Sequence, residues 1–273
     1  MLNLLKSLGS KIILSKDRKT AKIINKKNMK TFASYSLVKT MRGSILVLGP
    51  LISKFYKSKT SLPGGCLIGA RPVNYHLSAL KKLGMNYKIK DGYILAKTKG
   101  RLKGNTIKFP KISVGATENS IIAACLAKGK TILKNCAIEP EIKDLTNFLN
   151  SAGAKIRWSG RMCKILGTDS LNQTEYTVMA DRIEAGTFCV AATLAKGNLQ
   201  INNLNPKIIN TEIKLLKKIG AKIKTNENKI LIKGPGKIKS IKSIKTKEFP
   251  GIPTDLQAQL MVLMCKAVGK SSI

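Results

Sequence analysis

The sequence predicts a repeated α/β fold, on three observations. A short amphipathic helix that ends at glycine and runs into an alternating apolar segment occurs four times, at Leu4–Ile12, Leu80–Met85, Phe148–Ile156 and Leu215–Ile223. The glycines concerned, Gly9, Gly84, Gly153 and Gly220, lie 75, 69 and 67 residues apart. A second half-repeat matches Ala123–Ile132 to Ala191–Gln200 at an offset of 68 residues. The composition, 43% hydrophobic and 23% charged, is that of a folded chain. Units of this length hold about two helices and a few strands, too long for a solenoid repeat and suited to a repeated α/β domain.

Each element follows from local chemistry. A glycine after the last apolar helical position is a C-terminal stop, because the chain leaves the helix there through a left-handed conformation. The segments after the glycines read as hairpins, for example Tyr87–Ile89 and Tyr93–Ala96 turning at Asp91-Gly92. Lysine rows such as Lys214, Lys217 and Lys218 are expected to be wet helix faces, and the uncharged run Gly43–Ser53 is core-sized. No segment approaches the roughly 18 apolar residues of a membrane span, and the opening Met1–Lys6 does not read as a signal peptide. A cytoplasmic location without a membrane partner is therefore expected.

The chain has 273 residues, and its 50 Lys plus Arg against 14 Asp plus Glu give a net charge of +36. Such a charge points to a polyanion partner. The type of base argues otherwise, since only seven of the 50 are Arg, the residue that phosphate and base-edge readers favour. Aromatics are 5% of the chain, and Trp158 is the single tryptophan, which leaves little surface for base stacking. A lysine-coated enzyme whose charge lies along helix faces is preferred, with a lysine-rich nucleic-acid-binding module as the alternative. The six cysteines form no C-x-x-C pair and His76 is the only histidine, so neither a disulfide framework nor a zinc site is expected.

Three segments can carry chemistry. In Leu62–Val73 two prolines and three glycines exclude regular structure and let backbone approach a ligand. Ala70-Arg71 stands where a phosphate-binding loop needs Lys-Ser/Thr, which rejects that reading. What remains is Cys66 and Arg71 on one glycine loop, a setting in which the cation favours the thiolate. The other five cysteines are expected to be buried and structural. In Phe249–Gln259, Thr254 and Gln257 have capping-box spacing, which makes Thr254-Asp255 a helix start and keeps Asp255 ionised. In Lys111–Asn119 a strand ends before an apolar helix, leaving free amides for an anion.

Leu37–Arg42, Leu62–Cys66 with Arg71–Val73, Ser113–Thr117, Glu139–Ile142, Asp181–Glu184 with Gly186–Phe188, and Pro253–Asp255 with Gln257–Gln259 carry a closer likeness. Over essentially the whole chain the sequence resembles the UDP-N-acetylglucosamine enolpyruvyl transferase family. The resemblance implies two similar α/β domains, each an inside-out barrel of repeated units with helices within and sheets outside. Here these would be residues 1–180 and an incomplete second domain at 181–273. It implies transfer of the enolpyruvyl group of phosphoenolpyruvate to the 3-hydroxyl of UDP-N-acetylglucosamine with release of phosphate, the first committed step of peptidoglycan synthesis, with no cofactor and no metal.

On the same resemblance Cys66 is the general acid and the target of fosfomycin, and Asp255 takes the proton of the sugar hydroxyl. Arg42 and Arg71 meet substrate phosphate and carboxylate. The stretches Arg71, Pro72, Val73, Asn74, Tyr75 and Lys111, Ile112, Ser113, Val114 hold the UDP-sugar. Asn74 replaces the family's usual Asp and Tyr75 a common Leu, changes expected to alter nucleotide binding. The chain begins inside the first repeat's helix, without the family's Lys-Asn pair, and stops soon after Asp255. It is therefore expected to be a fragment with poor or no activity. 5-Enolpyruvylshikimate-3-phosphate synthase is a second candidate in the same fold, disfavoured because that family lacks the Pro-Gly-Gly-Cys loop.

Overall fold

A computed structural model of the chain describes residues 1–39, 41–64 and 73–273, apart from the side chain of Arg42. The chain divides into two compact units, residues 1–138 with 145–175, and residues 139–144 with 176–273.

The first unit opens with α1 (Leu2–Ser7) and the antiparallel hairpin β1 (Lys11–Leu14) and β2 (Ala21–Ile24). There follow β3 (Phe32–Ala33), α2 (Tyr35–Val38), a 3-10 helix at Arg42–Val47 continuing into α3 (Leu48–Phe55), β4 (Lys57–Ser61), α4 (Asn74–Lys82), β5 (Asn86–Lys90) and β6 (Tyr93–Lys97). The pattern then repeats as β7 (Thr106–Lys108), α5 (Val114–Cys125), β8 (Lys130–Lys134), α6 (Pro140–Ser151), β9 (Lys155–Ser159) and β10 (Met162–Leu166). Both four-stranded sheets have the same topology, in the orders β3-β4-β6-β5 and β7-β8-β10-β9. In each, the first pair is parallel and the others antiparallel.

Period-two burial sets the layers. On β4, Ser58 and Thr60 point inward while Lys57 and Lys59 are exposed; on β8, Thr131 and Leu133 are buried while Lys130 and Lys134 are wet. Helices fill the inside: α5 packs on α3 and α4, and Ala116, Asn119, Ile121 and Ala124 bury most of its circumference. A helix that is buried nearly all round belongs in a core. Much of the positive charge therefore sits on outward strand faces, whereas the sequence reading placed it on helix faces. The lysines alternate with the β-branched residues that strands favour.

The second unit continues the plan with α7 (Arg182–Leu194), β11 (Asn198–Asn202), α8 (Asn210–Ile219), β12 (Lys222–Asn226), β13 (Lys229–Lys233), a 3-10 turn at Thr254–Leu256 and α9 (Gln257–Cys265). Its sheet order is β11-β13-β12, all antiparallel. The core runs from Cys189 of α7 through Ile213 and Leu216 of α8, Ile230 and Ile232 of β13, to Leu260 and Leu263 of α9. Residues 139–144 go with this unit because Arg182 pairs with Glu141, and the Tyr176 hydroxyl donates to Asp144 Oδ1 at 2.7 Å.

The predicted repeat is present in the backbone. Gly9, Gly84, Gly153 and Gly220 have φ of +106°, +104°, +95° and +116°, all left-handed helix stops. The half-repeat extends to a further pair: Asn135 after β8 and Asn203 after β11, 68 residues apart, have φ of 59° and 58°. The tight turn Asp91-Gly92 joins β5 to β6, with φ of 51° and 74°. The lysines Lys214, Lys217 and Lys218 are exposed, and Gly43–Ser53 forms the start of the helical interior. Among the described residues no helix is long and apolar enough to cross a membrane.

Candidate active site

Asp255 occupies the middle of the 3-10 turn that leads into α9, and its side chain is exposed. Its neighbours anchor it. Pro253 and Leu256 are buried, and Leu256 lies over Gly186 of α7, where an added Cβ would come within 2.7 Å of Leu256 Cδ1. The capping box expected from Thr254 and Gln257 does not form. Pro253 holds the cap position of the turn, Leu256 that of α9, and neither end has a side-chain cap bond. A 3-10 turn is inserted where a simple helix start was expected, which moves Thr254 out of the N-cap position.

Behind this segment lies an ionic cluster built around a buried guanidinium. The guanidinium of Arg182, 6% exposed, donates from Nε to Glu141 Oε2 and from Nη2 to Glu141 Oε1, both at 2.9 Å. Glu212 Oε1 stands 4.0 Å from Arg182 Nη1. Arg182 also lies over the ring of Phe249, 5.8 Å from its centroid, and the Phe249 amide donates to Glu139 Oε1 at 3.2 Å. Burial works against the charge of Arg182, but Glu141, then Glu212 and Glu139, more than offset it and hold the guanidinium protonated beyond its ordinary range. Burial raises the Glu212 carboxyl above its usual value, partly opposed by its backbone hydrogen bond and Arg182.

In the first unit, Ser113 is the N-cap of α5 and its hydroxyl accepts from the Ala116 amide at 3.4 Å. The amides of Val114 and Gly115 have no intrahelical acceptor. Lys111 just before them is exposed, and Ile112, Ser113 and Val114 are half-buried. Val73 is half-buried and leads into α4, whose first residues are exposed Asn74 and half-buried Tyr75. The two stretches meet through His76, to which the sequence reading gave no role. A Cβ on Gly115 would lie 3.1 Å from His76 Cε1. Asn119 fixes the imidazole: its Oδ1 accepts from Gly49 N at 2.8 Å, and its Nδ2 donates to Ile45 O and faces His76 Nδ1, each at 3.2 Å. With Asn119 donating, Nδ1 is the acceptor nitrogen of the ring.

Arg42 opens the 3-10 helix before α3. Cys66, Arg71 and Pro72 lie outside the described residues. At Gly64, the last described residue before them, a Cβ would meet the Lys39 carbonyl oxygen at 2.1 Å, so only glycine fits. Cys125, Cys136, Cys163 and Cys189 are buried as expected, but Cys265 is exposed, a correction to the sequence reading. Leu260, Leu263 and Met264 take the inward face of α9, and the next position turns outward. Among the described residues no group of three or more His, Cys, Asp or Glu side chains could hold a metal.

The repeated βαβαββ units with helices inside define an enolpyruvyl transferase fold. The crystal structure of the enolpyruvyl transferase NikO from Streptomyces tendae superposes with a TM-score of 0.82 at 20% identity, covering 98% of this chain and 64% of that one. An EPSP synthase from Acinetobacter baumannii gives 0.66 at 19% identity, covering 97% and 60%. The chain belongs to the EPSP synthase (3-phosphoshikimate 1-carboxyvinyltransferase) family, whose model matches residues 1–273. It is 61% identical over its whole length to a UDP-N-acetylglucosamine 1-carboxyvinyltransferase of Pelagibacter ubique, and spans 65% of that protein. A namesake from Shewanella piezotolerans is 46% identical over 99% of this chain and 64% of its own length.

Proposed function

We propose that the chain carries part of the apparatus of a UDP-N-acetylglucosamine 1-carboxyvinyltransferase, a cytoplasmic enzyme of peptidoglycan synthesis. One observation carries the choice of substrate. Whole-chain identity is 61% and 46% to relatives of that name, against 19% to the EPSP synthase structure above, although all share the fold.

In this reading Cys66 delivers a proton to the methylene carbon of phosphoenolpyruvate, and Asp255 takes the proton of the sugar 3-hydroxyl as its oxygen bonds to the adjacent carbon. Loss of phosphate and of one methyl proton restores the double bond, now as an enol ether of the sugar. The exposed Asp255, held between buried Pro253 and Leu256, is an accessible carboxylate on a fixed turn. Arg42 and Arg71 offset the substrate's phosphate and carboxylate charge. Val73, Asn74 and Tyr75 with Lys111–Val114 hold the UDP-sugar, the first amides of α5 suiting a diphosphate oxygen. Asn74 in place of an acidic residue removes a negative charge there.

The test is phosphate release from phosphoenolpyruvate. Release that requires UDP-N-acetylglucosamine and disappears in Cys66→Ala and Asp255→Asn supports the proposal. Equal release without the sugar nucleotide, or with shikimate 3-phosphate in its place, rejects it.

A further inference from the structure

The charged side chains behind Phe249 do more than form ion pairs. Arg182 is gripped by both oxygens of Glu141, which fixes the plane of its guanidinium. That plane lies over Phe249, and Glu139 holds the Phe249 amide from a position 110 residues earlier in the chain. From Phe249 the chain runs through a tight turn, closed by Gly251 N to Glu248 O at 2.8 Å and Lys247 N to Ile252 O at 2.8 Å. Thr211 Oγ1 ties Pro250 O at 2.5 Å. Three residues after Ile252 stands Asp255. Its turn is thus pinned at the far end by Leu256 against Gly186, and at the near end by Phe249.

We infer that Glu139, Glu141 and Arg182 are positioning residues that hold the segment 247–256, and with it the carboxylate of Asp255, in register with α7. The inference rests on the proposed role of Asp255 for its link to catalysis, and on the contacts alone for the brace. The brace joins the start of α6 and the start of α7 to one loop. It therefore acts on the orientation of Asp255 and leaves substrate-binding groups elsewhere unchanged. A misplacement near 1 Å costs a general base about 100-fold in rate.

The experiment compares the full chain with Arg182→Met, Arg182→Lys and Phe249→Leu, the last keeping the ion pair in case the first leaves a buried charge that unfolds the unit. Hydrogen–deuterium exchange is expected to quicken about tenfold across residues 247–256 in Arg182→Met and Phe249→Leu, with α4 of the first unit unchanged. Arg182→Lys should recover part of the protection, since it keeps the charge and loses the fork. In turnover, kcat should fall about 100-fold with KM for phosphoenolpyruvate within a factor of about two. Unchanged exchange across 247–256 overturns the brace, and a raised KM at constant kcat overturns its positioning role. Asp255→Asn, measured alongside, separates the two ideas. If it turns over normally the functional reading falls, and exchange judges the brace whether or not the chain turns over.

Discussion

The backbone amide of Gly49 on α3 donates to Asn119 Oδ1 on α5 at 2.8 Å, 70 residues away, and the two helices touch so closely that a Cβ on Gly49 would lie 2.2 Å from that oxygen. Gly49→Ala gains about 1 kcal/mol of helix propensity. It also displaces a buried amide that holds Gly49, Ile45 and His76 together, and overpacking with a lost buried hydrogen bond costs about 2–4 kcal/mol. The net effect is destabilisation by about 2 kcal/mol, read from denaturant midpoints at constant slope. A variant as stable as the parent would contradict the packing of α3 on α5.

Glu212 makes the second unit sensitive to pH. Its folded carboxyl binds its proton more tightly than in the unfolded chain, chiefly because it is buried. The stability it contributes is full below the ordinary carboxylate range and is lost as pH rises through the raised folded value. Thermal midpoints should fall with pH over that window, and Glu212→Gln should flatten the slope. An identical slope in the variant would remove Glu212 as the cause.

The thiols should separate by environment. Burial pushes Cys125 up to about 12, and burial with the nearby charge of Glu212 pushes Cys189 up to about 11. Both should resist alkylation until the chain unfolds, as should buried Cys136 and Cys163, while exposed Cys265 reacts in the native state. Mass mapping after a short pulse of iodoacetamide checks this. The proposed function adds that Cys66 reacts in the native state and is protected by fosfomycin.

At Gly220 the helix stop is left-handed, φ +116°, and a Cβ would lie 3.2 Å from Pro235 Cβ. Gly220→Ala should cost about 1–2 kcal/mol through this backbone strain. Differential scanning calorimetry gives the direction, and an unchanged or raised midpoint would refute it.

Leu80–Gly84 and Leu215–Gly220 announce themselves in the sequence because a helix stop and a hairpin are short-range events: the glycine, the apolar spacing and the Asp91-Gly92 turn lie within a few residues of one another. Asp255, Lys111 and Ser113 were legible as candidates for the same reason, each sitting in a compact motif. The capping box at Thr254 failed because the local pattern was overruled by buried Pro253 and Leu256, which set a 3-10 turn first. Cys265 was misread because its apolar neighbours in sequence do not share its face of α9.

By itself, then, the sequence determined the repeat, the helix ends, the alternation of strands and the kinds of side chain available for chemistry. Only the tertiary structure decided that Asn119 orients His76 between α4 and α5, and that Glu139 reaches Phe249 across 110 residues to brace the turn of Asp255. Those pairings depend on where separate elements pack. Burial then makes each polar contact obligatory, since an unpaired buried group costs about 1–3 kcal/mol, and no periodicity along the chain encodes which distant partner meets that need.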